Sequence, residues 1–237
     1  MPGRTKRLSN VRSSALDDRP VIRLVLALLC SSLVSIGLYA YGAWRNQSLL
    51  YEYLVWNLFL AWVPLLFAAI VIKLLRRRAW SNWLTMLFSF LWLSFLPNSF
   101  YLITDYVHLR EIERVDILFD VVMFTSFIFT GLVVGFLSLF LVHRELVTRV
   151  GRRTSYWLVG LVLFVCSYAI YLGRDLRWNT WDILANPAGI LFDVSDRLIK
   201  IGHEPQMVLT TLSFFILLST LYAILWEAVR VIRDLEA

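Results

Sequence analysis

Six apolar stretches follow one another along the chain, near residues 21–41, 53–75, 80–103, 117–142, 156–173 and 207–229, separated by short polar segments. Each approaches or exceeds the roughly 20 residues an α-helix needs to cross about 30 Å of hydrocarbon. The pattern predicts an all-α fold, a six-span transmembrane helical bundle. The first stretch follows basic residues, as a secretory signal would, but residues 38–44 lack a small-residue cleavage pattern and the run is long, so it is read as a retained span. Residues 1–20 are polar and aperiodic and read as a flexible basic tail; residues 21–237 read as a single transmembrane domain. In the last loop, Asn186 and Pro187 suit an N-cap and first helical position. Residues 187–202 then place Ile190, Leu191, Val194, Leu198 and Ile201 on one face and Asp193, Asp196, Arg197 and Lys200 on the other, the pattern of a helix lying in the outer interface.

Composition agrees with the pattern. Of 237 residues 59% are hydrophobic and 17% charged, against about 25% charged in soluble domains. Ten Trp, ten Tyr and sixteen Phe suit aromatic belts at a membrane surface. The net charge of +6 raises nucleic acid as a partner, and its distribution removes it. With the N-terminus in the cytoplasm, sixteen Lys and Arg fall on the cytoplasmic side and seven on the outer side, leaving +10 inside and −4 outside. This is the positive-inside asymmetry, with both termini cytoplasmic, so the expected partner is the lipid bilayer and not nucleic acid. Cys30 and Cys166 lie mid-span with no ligand spacing and read as small core residues.

Glycine-rich phosphate loops, zinc patterns and nucleophile elbows are missing from the sequence. Polar chemistry collects instead at the outer ends of the spans. If the backbone stays α-helical after Pro97, then Asn98, Tyr101, Asp105 and His108 fall within about 80° of one another, flanked by Thr104. Asp105 and His108 are the candidate catalytic pair, as base and orienter or as two metal ligands, with no complete metal site assigned. His108 also fits as a cap or an interfacial residue. Beyond the fifth span, Asp175, Asn179 and Asp182 share one stripe, and Arg174 and Arg177 form another with Trp178 and Trp181. These arginines suit an anionic ligand or lipid headgroup, or a network tying spans together. Asp120, one turn inside the fourth span, should face protein and have a partner. Asn57, Ala61, Pro64 and Ala68 form a small, kinked face turned into the bundle, and Gly131 and Gly135 mark close helix packing. His203 and Glu204 sit over this rim. His143, beside Arg144 in a basic loop, reads as solvated.

Leu96-Pro97-Asn98, Tyr101, Thr104-Asp105 and His108-Leu109, with Arg174, Arg177-Trp178-Asn179 and Trp181-Asp182, resemble blocks of domain-of-unknown-function family 1361. Residues 57–66 resemble that family's second-span block. The resemblance covers most of the chain from the second span onward. It implies a bacterial cytoplasmic membrane and a single helical bundle, and carries no catalytic residues or cofactor across. Three functional readings remain: an outward-facing enzyme or ligand site for a lipid headgroup or envelope precursor, a structural or assembly partner, and a transporter. The nearly bare midplane disfavours the last.

Overall fold

The computed structural model describes residues 19–111, 117–176, 178, 180, 182–199 and 204–235. Among them, six helices are long and apolar enough to cross a membrane. In chain order the helices are α1 (Arg19–Asn46), α2 (Glu52–Leu75), α3 (Trp83–Tyr101), α4 (Ile117–Val150), α5 (Arg152–Asp175), the single turn α6 (Asp182–Ala185), α7 (Pro187–Ile199) and α8 (Pro205–Leu235). All six predicted spans are present, and the all-α bundle stands. The tail ahead of residue 19 lies outside the described residues.

The bundle has two ends. One carries the α1–α2, α3–α4 and α5–α8 connections and is called here the Asp105 end. The other, the basic end, carries the α2–α3 and α4–α5 connections.

α2 and α3 pack on each other and on α4, α8 packs mainly on α5, and α1 lies against α4. The central core joins Ala68, Leu96, Phe100, Phe136, Ile170 and Leu218. α1 and α8 are peripheral, with large apolar side chains such as Leu33, Val34, Leu209 and Ile216 exposed, as lipid-facing residues should be. Polar pairs seat α1: Ser31 and Thr130 hydroxyls lie 2.6 Å apart, and Trp62 Nε1 donates to Ser32 Oγ at 3.1 Å.

The glycine signal acts as expected. A Cβ on Gly135 would stand 2.6 Å from the Ser99 Cβ, and one on Gly131 3.2 Å from the Ser99 carbonyl oxygen. Only glycine lets α4 come this close to α3. Ser99 in turn donates to the Ala61 carbonyl at 2.9 Å, so one small residue joins three helices. Ala61, Pro64 and Ala68 are buried, in line with the inward face read for α2.

Three expectations are corrected. The α-helical stripe past Pro97 breaks at Tyr101, where the chain tightens into a 3-10 helix, Leu102–Glu111. His143 is not solvated but fully buried. The fourth span extends past residue 142 to Val150, giving 34 helical residues, about 50 Å at 1.5 Å per residue, so His143 still lies within a packed helix. A single residue, Gly151 at φ +83°, then reverses the chain into α5, a conformation L side chains resist. Third, Cys166 is a core residue but Cys30 is exposed on α1.

Candidate functional site

The 3-10 helix explains how Asp105 and His108 come to share a face. At three residues per turn, positions i and i+3 eclipse, which aligns Leu102, Asp105 and His108. Thr104 closes the first turn by donating to the Tyr101 carbonyl at 2.8 Å. Asp105 is only 2% exposed. Its Oδ2 accepts from Asn57 Nδ2 on α2 at 3.0 Å. His108 and Arg174 both lie within electrostatic reach of the Asp105 carboxylate. His108 packs its edge against the Tyr53 ring, with centroids 5.2 Å apart. Tyr53 is one turn before Asn57 on α2, so an i, i+4 reading from Asn57 would have found it. Asn57, Asp105, His108 and Arg174, drawn from three elements, therefore meet at one end of the bundle.

The other half of the predicted stripe points elsewhere. Asn98 Nδ2 donates to Thr180 Oγ1 at 3.0 Å and to the Phe95 carbonyl at 3.1 Å. Tyr101 packs against Gly173 of α5, where an added Cβ would lie 3.2 Å from its ring. A continuous α-helix would have kept these two beside Asp105. The change of pitch turns Asp105 towards α2 while Tyr101 meets Gly173 near the end of α5 and Asn98 meets Thr180 beyond it.

Asp120 is buried, as its depth required, but it borders a separate small cavity with Tyr39, Ser48, Tyr51 and Met123. Tyr51 packs edge-on against Tyr53 at 6.3 Å, so an aromatic path connects Asp120's surroundings to His108. Asp175 is exposed, and Asp182 opens α6 half-buried. Arg177 and Asn179 lie outside the described residues, as does His203. No three His, Cys, Asp or Glu side chains converge as metal ligands among the described residues.

Sequence reasoning missed a second polar layer beside this cluster. Arg197 of α7 donates to the Tyr171 hydroxyl, lies 5.5 Å from the centre of that ring, and pairs with Glu204 at 3.3 Å. Trp178, from the Arg174 stripe, donates its Nε1 to Asp193 Oδ2 at 2.8 Å. The spacing of Tyr171 and Arg174, three residues apart on α5, was the available signal that the two layers adjoin.

No curated protein and no solved structure matches the chain. Residues 56–221 match a family model described as a protein of unknown function, DUF1361. The match runs from the second span into the sixth and takes in every site residue predicted from the sequence. On that match, the chain belongs to the DUF1361 family.

Proposed function

We propose that this protein is a single-domain bundle of a bacterial cytoplasmic membrane, with both termini cytoplasmic, and that its outward Asp105 end binds the anionic headgroup of a lipid or envelope precursor. In this reading Arg174 supplies the anion partner, Asn57 fixes the Asp105 carboxylate, and Asp105 with His108 forms an acid–base pair available for catalysis. The supporting observation is the nearly sealed Asp105, bonded to Asn57 and within reach of His108 and Arg174. Several span-to-span contacts deeper in the bundle are neutral, such as Ser99 to the Ala61 carbonyl and Trp92 to Ser138. A carboxylate beside an arginine is a costly fastener where hydroxyls suffice, and intramembrane ionisable groups ordinarily mark use.

Native mass spectrometry of the protein purified with anionic phospholipid tests the reading. Wild type should retain lipid, while Arg174→Ala and His108→Ala should lose it at unchanged melting temperature. Equal lipid retention in folded wild type and both variants would overturn the proposal.

The burial of Asp105 and its bond to Asn57 also favour a second reading, in which the cluster is a hydrogen-bonded lock in a structural or assembly protein. Under that reading, Asp105→Asn and Asn57→Ala lower the unfolding midpoint and no lipid is retained by any form.

A further inference from the structure

α7 is rotated about its axis from the seating its sequence pattern predicts. Asp193 and Arg197, from the polar face, turn to the bundle and are clasped there by Trp178, Tyr171 and Glu204. Leu191, Phe192 and Ile199 point away, 66%, 71% and 82% exposed. At 100° per residue these three lie within an arc of about 100°, with the small Ser195 between them. Ile190 and Val194, which belonged to the predicted apolar face, are half-buried beside the clasp. The helix thus has an inner face held by polar bonds and an outer face that is apolar and uncovered.

We propose that α7 is an in-plane membrane anchor whose Leu191, Phe192 and Ile199 insert into the acyl–headgroup boundary of the bilayer at the Asp105 end, while Asp193 and Arg197 fix the opposite face to the protein. The occupant follows from continuity. The clasp ties α7 to Tyr171 on α5 and to Glu204 at the start of α8. Those two helices carry exposed apolar belts, Leu161 and Phe164 on α5 and Leu209 and Leu212 on α8. The outer face of α7 extends the same belt to the membrane surface. Three large apolar side chains on a 13-residue helix make a poor water-facing surface, and a bilayer interface covers them without any further protein. Polar groups turned inward also satisfy their hydrogen bonds before the helix meets lipid. This inference needs only that the spans cross a bilayer, and is independent of any ligand at Asp105.

Site-directed spin labelling in proteoliposomes of phosphatidylcholine and phosphatidylglycerol tests it. The background is Cys30→Ser, with the buried Cys166 left in place. Labels are placed by Phe192→Cys, Ile199→Cys and, as a polar comparator, Asp175→Cys. At 192 and 199, collision with oxygen should exceed collision with a water-soluble nickel chelate several-fold, and the order should reverse at 175. Nickel-dominated collision at 192 and 199 in folded protein would overturn the anchor in favour of a water-facing helix. Exclusion of both reagents, with dimeric protein by light scattering, would overturn it in favour of a contact between two copies. Trp178→Phe, which removes the bond to Asp193, provides a second check. It should increase label mobility at 192 while the oxygen preference persists.

Discussion

Asp105 and His143 are both sealed inside the bundle near opposite ends, and their surroundings are chemically opposite. Asp105 sits among polar and ionisable groups: Asn57 bonds it, and His108 and Arg174 reach it. His143 sits among aromatics: it stacks on Trp226 at 3.9 Å, meets the edge of Tyr156, and shares a 2.8 Å bond between Nδ1 and the Tyr222 hydroxyl. Its Nε2 has no hydrogen-bond partner among the described residues. The first arrangement invests in charge and must justify its desolvation; the second treats a histidine as a flat, weakly polar ring that joins α4, α5 and α8. Burial alone therefore does not mark a functional residue here. The company a buried polar group keeps separates the two ends.

Trp226→Ala should have the largest effect on this comparison. Trp226 is buried, supports His143, and donates Nε1 to Tyr156 at 2.9 Å. Truncating a buried aromatic of this kind costs about 3–5 kcal/mol. The loss should appear as a lowered midpoint in dodecyl sulfate unfolding followed by circular dichroism. Were the aromatic box incidental, the midpoint would stay near wild type. Asn57→Ala comes next, at about 2–3 kcal/mol in the same assay, because it leaves the buried Asp105 carboxylate without its donor. If Asn57→Ala is neutral, the polar end does not depend on that bond and the lock reading loses its foundation.

Much of this was readable from residue order. Six long apolar runs fix the bundle because backbone polar groups in lipid must be satisfied within helices, and Gly131 with Gly135 foretold the close α3–α4 approach. The nearness of Asp105 and His108 was also foreseen, though for the wrong pitch: a 3.6-residue period assigned Asn98 and Tyr101 to the same stripe, and the 3-10 turn removed them. Local sequence carries little sign of that tightening beyond Pro97. His143 was misread for a different reason. Its neighbours Arg144 and Glu145 are half-exposed, and a basic run ordinarily means water. Coverage comes from Tyr156, Tyr222 and Trp226, which are 13, 79 and 83 residues distant and meet His143 only in three dimensions. The rotated seating of α7 was hidden likewise, since Trp178 and Tyr171 decide which side is inner.

Tyr222→Phe removes one oxygen and leaves the ring stack in place, so it isolates the hydrogen bond to His143 Nδ1. Losing a buried partner of this kind costs about 1 kcal/mol, well below the loss of Trp226.

His143→Phe should have the smallest effect and is the sharpest of the set. It keeps a flat ring against Trp226 and discards the Nε2 atom that lacks a partner, while costing the bond from Tyr222. Those changes oppose each other at about 1 kcal/mol each, so the midpoint should shift little in either direction. Adding Tyr222→Phe to His143→Phe should then recover stability relative to His143→Phe alone, because the stranded hydroxyl is removed together with its former partner. A double-mutant cycle reads this directly: the two substitutions should couple favourably by about 1 kcal/mol. Strictly additive losses would show that the hydroxyl and imidazole do not act as a pair, and the box would be aromatic packing alone. The corresponding cycle on Asn57 and Asp105 should couple more strongly, since one partner there is a carboxylate. Equal coupling at the two ends would erase the distinction between them.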